Sequence, residues 1–201
     1  MTPARGDHDA RRADVSRAVW RVLAERGFEG LTLRAVAAEM GASTGLLTHY
    51  FPSKRALLKH ALDVLDRQSA ERPRPAEERA GGAVGLAMLR AVLLDILPLT
   101  PQSAAGNRIW VSSWDVALAD PDLAAEHAER YRAARRRMTG HVEDARRLGE
   151  LPAGRPAEDV AAAAQSFVLG LVVQALFAPA EFPAERQTAL LDAYLAGIAA
   201  A

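Results

Sequence analysis

The stretch Gly30–Leu58, GLTLRAVAAEMGASTGLLTHYFPSKRALL, decides how the rest of the chain is read. Val36, Ala37 and Met40 recur at helical spacing, which predicts a helix from Leu33 to about Met40 with a single inner stripe. Thr32 precedes it and is a good N-cap, because its hydroxyl accepts a backbone N–H that a helix start leaves free. Gly41 breaks that helix, Ala42 suits a tight turn, and Ser43 caps a second helix, Thr44 to Phe51, which Pro52 stops. Ser53 caps a third that reaches to Gln68. In the second helix Leu47 and Phe51 lie four apart and face inward, supported by Leu57 and Leu58. Thr44, Gly45, Thr48 and His49 are left facing outward.

Working outward, Val15, Ala18, Val19, Val22 and Leu23 predict an earlier amphipathic helix from Asp9 to Arg26, with Gly27 at its end. Phe28 and Leu31 then plug the core through a short connection. On the other side, residues 71–79, ERPRPAEER, read as an exposed linker or loop. Five more helices are expected at about 82–97, 102–119, 122–149, 156–178 and 183–199, separated at Pro98, Pro101, Pro121, Pro152, Pro156, Pro179 and Pro183. No alternating strand pattern is present. The expected fold is therefore all-α, with about nine helices.

Composition narrows the function. The chain has no Cys among its 201 residues, which rules out disulfides, thiolate zinc sites and thiol catalysis and suits a reducing cytoplasm. The five His show no metal-ligand spacing, and there is no Gly-rich phosphate loop or nucleophile elbow. No catalytic residue, metal or cofactor is expected, and an enzyme finds no constellation to support it. Charges through the first 30 residues exclude a secretory signal from that stretch. Val160–Ala180 is uncharged and long enough to cross a bilayer, but it holds Gln165, Ser166 and Gln174, is rich in Ala, and lacks flanking basic or aromatic belts. A buried helix, at a subunit interface or in the core, is expected there rather than a membrane span.

The net charge of zero hides an asymmetry: residues 1–60 carry ten Lys/Arg and six Asp/Glu, the remainder fifteen and nineteen. A basic N-terminal quarter fits a module that meets phosphate backbone. Two short helices joined by a Gly-containing turn are the ingredients of a DNA-reading helix-turn-helix. In that reading Thr44, Thr48 and His49 reach base edges and Gly45 lets backbone approach closely, although His49 could instead be a structural hydrogen-bonder. Thr32, Ser43, Tyr50 and Lys54 are expected at phosphates, and Arg34 stands between phosphate contact and plain surface charge. Lys54 opens a helix whose dipole disfavours a cation there, which points to an external anion. Arg135, Arg136 and Arg137 point around three sides of a helix and read as a solvated surface.

The run Gly30–Leu58, with the preceding helix ending in Gly27-Phe28, resembles the TetR family of bacterial regulators, and the wording Ser43–Phe51 looks closest to its choline-responsive BetI-like branch. Trp110, Trp114 and Asp120–Leu123 are more loosely similar to that branch's sensing domain. Two departures stand out: the family often has Tyr where this chain has Thr48, and an acid where it has Arg55, making that edge more basic. The resemblance implies a three-helix DNA-binding domain over residues 1–52 and an effector-binding and dimerisation domain over 53–201. It also implies a cytoplasmic homodimer on a palindromic double-stranded operator, repressing until a small-molecule effector enters the C-terminal domain. The 53–68 helix is then the expected lever.

In the C-terminal part, Trp110 and Trp114 are four apart and wall either a core or a ligand cavity. Asp95 interrupts an apolar run; it either pairs with a neighbour such as Arg108 or serves a cationic effector beside the Trp faces. Met88, Val92 and Phe167 complete the expected effector pocket, and Leu171, Leu190, Leu191, Tyr194 and Ile198 the expected core or dimer contacts. The rival reading is an all-α small-molecule binding protein without operator recognition.

Overall fold

The computed structural model describes residues 5–200, and side chains from 13 onward with the exception of Ser69. The described residues form ten helices and no strand: α1 (Arg5–Arg26), α2 (Leu33–Glu39), α3 (Thr44–Tyr50), α4 (Lys54–Glu71), α5 (Pro75–Ala80), α6 (Gly85–Leu94), α7 (Pro101–Leu118), α8 (Pro121–Arg147), α9 (Ala157–Phe177) and α10 (Ala184–Ala199). They divide into two compact units. Among the described residues, the first holds 5–72 and 108–123, the second 73–107 and 124–200.

In the first unit α1 packs on α2 and α4, and α2 on α3. Val15, Ala18, Val19, Val22 and Leu23 of α1 meet Val36 and Ala37 of α2, Leu47 of α3 and Leu57, Ala61, Leu62 and Leu65 of α4 in one apolar core. Phe28 and Leu31 fill it from the connection, and Ile109 and Leu123 close it from the later segment. The three expected caps are in place: Thr32 Oγ1 accepts from Ala35 N–H at 3.0 Å, Ser43 Oγ from Leu46 N–H at 3.3 Å, and Ser53 Oγ from Ala56 N–H at 3.1 Å. Gly41 takes φ +61° in the turn between α2 and α3, a left-handed conformation that a side chain disfavours. Phe51 falls outside α3 in extended backbone, yet its ring stays buried.

In the second unit α6 lies against α5, α9 and α10, and α9 against α10. Leu89, Leu93, Val168, Leu171, Val172, Leu191 and Leu195 are buried here, together with Met138 and Val142 of α8. Arg90 of α6 grips Asp192 of α10, with Nε and Nη2 donating at 2.5 and 2.9 Å. Gly85 opens α6 at φ +68° where a Cβ would sit 2.4 Å from Glu150 Oε2 and 3.1 Å from Ala145 Cα, so the close approach requires glycine.

One expectation fails in an instructive way. The 71–79 stretch contains a helix, because Asp95 reaches across from the end of α6 to cap α5. Its Oδ1 accepts from Ala76 N–H and its Oδ2 from Glu77 N–H, each at 2.9 Å. Arg74, at the N-cap position, makes no side-chain cap of its own. A distant carboxylate supplies what the local sequence lacks, with Pro75 at N1 where a missing N–H costs nothing.

Candidate nucleic-acid interface and effector-binding residues

Helix α3 is seven residues long and divided sharply by face. Leu47 is wholly buried, while Thr44, Gly45, Thr48 and His49 are exposed. The structure therefore brings together on one outward face the four residues expected to read bases. Thr48 Oγ1 donates to Gly45 O at 2.8 Å, so its hydroxyl proton is committed to the helix; it presents a methyl group and an acceptor outward. Tyr50 is half-buried against the core, its ring edge-on to His49 at 6.0 Å. Tyr50 and Phe51, with Val15, Ser16, His60 and Arg67, line a cleft of about 570 Å³ between α1, α3 and α4.

Of the residues expected at phosphates, Tyr50 is half-buried and the others keep exposed side chains. Thr32, Ser43, Arg34 and Lys54 are all exposed, the first two at helix starts and Lys54 at the first residue of α4. Each capping hydroxyl accepts from its own helix, which leaves its proton to donate to an anion. Arg55 departs from expectation. Its Nε and Nη2 donate to Asp120 Oδ2 and Oδ1 at 2.5 and 3.0 Å, and Nη2 also donates to Asp122 Oδ2. Asp120's carboxyl is held below the usual range, first by Arg55, and Arg55's own proton is held more firmly by Asp120 and then Asp122. The extra positive charge read from the sequence is thus matched by two carboxylates, and the edge is not made more basic by it.

The residues expected to line an effector pocket fall in both units. Trp110 is half-buried against the apolar core of the first unit, and the indole N–H of Trp114 is buried with no hydrogen-bond partner among the described residues. In the second unit Val92 is buried, Met88 is half-buried, and Phe167 stacks on Tyr194 with ring centroids 4.4 Å apart. Asp95 has a use that neither expectation named: its two oxygens accept from the start of α5. The residues expected as core or dimer contacts divide between the two. Leu171 and Leu191 lie in their own protomer's core, at 4% and 0% exposure, whereas Leu190, Tyr194 and Ile198 keep surface.

Sequence reading missed a polar cluster inside the second unit. Gln165 of α9, 5% exposed, accepts from Arg135 Nε at 3.3 Å and donates to Tyr131 O at 3.2 Å. Arg135 is therefore turned inward, unlike the solvated surface expected of all three arginines; Arg136 pairs instead with Glu129 at 3.0 Å. His127 packs edge-on to Tyr131, and burial, reinforced by the charge of Arg130, pushes its imidazole down to about 4. The only sequence signal was the spacing His127–Tyr131–Arg135, four apart on one face of α8.

An all-helical chain whose N-terminal unit carries capped short helices around a polar outward face defines a helix-turn-helix transcriptional regulator. Residues 17–61 match the family described as bacterial regulatory proteins, tetR family, and residues 85–200 match the BetI-type transcriptional repressor, C-terminal. The chain belongs to the TetR family, with a C-terminal part of the BetI type.

Among curated relatives, the HTH-type transcriptional regulator PksA of Bacillus subtilis is 31% identical over 108 residues, 54% of this chain and 52% of the relative. BetI of Burkholderia thailandensis is 32% identical over 125 residues, 60% of this chain and 62% of the relative. The chain thus spans between half and two thirds of the length of these relatives. Among solved structures, a transcriptional regulator from Rhodococcus sp. Rha1 has TM-score 0.76 and 27% identity, covering 93% of this chain and 95% of that one. A regulator from Saccharomonospora viridis, solved in complex with choline, has TM-score 0.78 and 18% identity, covering 93% and 96%, and shows the fold alone.

Proposed function

We propose that this regulator is a homodimeric repressor that binds a palindromic operator through residues 1–52 and is released by a small-molecule effector taken up by residues 53–201. The observation that carries the reading is the outward face of α3. Thr44, Gly45, Thr48 and His49 are exposed on a helix whose other side is fixed by Leu47, flanked by capping hydroxyls at Thr32 and Ser43 and by Lys54. A helix of this length fits the major groove, with phosphate contacts setting its register and base contacts its preference.

Dimerisation is supported by α9 and α10. The 21-residue α9 has a mean hydropathy of 1.9 in its most apolar window, yet only 44% of that window is buried within the protomer. Ser166, Gly170, Gln174 and Phe177 are exposed on it, and Leu190, Ala193 and Gly197 on α10. Such an uncharged face fits a second copy better than water. A membrane would require flanking basic and aromatic belts, and the exposed residues instead include Ser166 and Gln174. An effector is supported by the second unit's interior, where Tyr194 Oη and Gln187 Oε1 are buried without a hydrogen-bond partner among the described residues. The choline-bound neighbour makes choline a first compound to try.

The test is selection of duplexes from a randomised pool by the full chain. An enriched inverted repeat with half-sites about one helical turn apart is expected. A pool that stays random would sink operator recognition and leave a helical binding protein. Lys54→Ala should weaken binding to the selected duplex and flatten its salt dependence by about one ion.

A further inference from the structure

The first turn of α4 carries two neighbouring cations with different surroundings. Lys54 is exposed at the edge of the reading face. Arg55 is turned onto the α7–α8 corner, where its planar fork meets both oxygens of Asp120 and also Asp122. Asp120 has a second task. Its Oδ1 accepts from Asp122 N–H at 3.0 Å and from Leu123 N–H at 3.3 Å, so the carboxylate that starts α8 is also the one that holds α4. Beneath the ions, Leu123 and Leu57 are buried in the same core, which anchors both partners against apolar packing.

This is a poor arrangement for attracting phosphate, since two carboxylates face one guanidinium and leave the cluster net negative. It is a good arrangement for fixing direction, because a bidentate guanidinium–carboxylate pair constrains orientation as well as distance. The first turn of α4 follows directly on Pro52 and Ser53, which leave the end of α3, so any rotation of that turn re-aims Lys54 and α3 together.

We propose that Arg55 is a positioning residue for DNA binding. By clamping α4 to Asp120 and Asp122, it holds Lys54 and the recognition helix in the orientation that meets the duplex. The inference rests on the operator-binding reading above and assigns Arg55 a role distinct from a phosphate contact, since its donors are taken up by Asp120 and Asp122.

The two roles give opposite signs. A 30-bp duplex enriched from the randomised pool by the wild-type chain serves as probe, titrated over a range of salt. If Arg55 positions, Arg55→Gln and Asp120→Asn each weaken binding by about fivefold with an unchanged salt slope, and the double variant is no worse than either single one. Asp120→Asn removes a negative charge near DNA yet keeps a good N-cap for α8, so the protein stays folded, which the thermal midpoint checks. The idea is overturned if Asp120→Asn binds as tightly as wild type or tighter. It is equally overturned if Arg55→Gln flattens the slope by about one ion, the mark of a direct phosphate contact. Failure of the wild type to enrich any duplex removes the DNA-binding reading itself, and this proposal with it; enrichment followed by unaffected variants removes this proposal alone.

Discussion

In the first unit the polar side chains of α3 lie outside a shell of leucine and valine; in the second, Gln165, His127 and Gln187 lie inside one. The outward arrangement suits recognition of a polar surface that arrives from solvent. Thr44, Thr48 and His49 cost little to keep hydrated, and the rigid apolar side of the helix sets their direction. The inward arrangement raises the stakes of each polar atom, because a buried group must find a partner or bear its desolvation cost. Gln165 finds two partners, whereas Tyr194 Oη finds none among the described residues. The same helical alphabet thus gives one unit suited to display and another suited to discrimination within.

The comparison breaks most visibly at α9. Gly170 is exposed, and a Cβ there would meet no atom within 4 Å, so Gly170→Arg leaves the protomer folded. If that face joins two copies, the variant sediments as a monomer and loses binding to the selected duplex; a persistent dimer would place the interface elsewhere. Next in size is Leu47→Ala in the display unit. Emptying this fully buried site should cost ~2–5 kcal/mol by urea denaturation, and the reading face should go with it.

His127 tests the inward arrangement. Its pKa, lowered to about 4, lies below the unfolded value, so between these two the unfolded chain binds the extra proton. The stability it contributes is present at pH 7 and is lost as pH falls from the unfolded value near 6.5 towards 4, by about 1–3 kcal/mol. His127→Gln should remove that part of the slope in urea midpoints measured from pH 7 to 4. The smallest effect concerns Thr48, whose hydroxyl proton is bonded to Gly45 O. Thr48→Val keeps the methyl group and removes only the outward acceptor, so it should shift the selected duplex slightly, whereas an unchanged duplex would mean that the methyl group alone is read.

Much of this was legible in the chain. The caps Thr32, Ser43 and Ser53, the break at Gly41 and the inner stripe of α1 depend on residues within a turn or two of one another. Their physics is local, and the helices followed to within a few residues. The outward set on α3 was legible for the same reason, since helical geometry alone separates Leu47 from Thr44 and Thr48. Asp95 and Arg55 were misread because their partners are remote in sequence: Ala76 and Glu77 for the one, Asp120 and Asp122 for the other. Leu171 and Leu191 were left open between core and dimer contact for a related reason. Periodicity says that an apolar face is covered, but not whether its own protomer or a second copy covers it.

The sequence by itself determined an all-helical chain, the helix-turn-helix and the residues that face away from its core, because hydrogen-bond capping and helical period act over a few residues. Only the tertiary structure decided where the charges go. Asp95 became a cap, Arg55 a clamp and Gln165 a buried link, since an ion or amide takes whichever partner the packed fold brings within about 3 Å. That distance is fixed by the core and not by the order of residues along the chain.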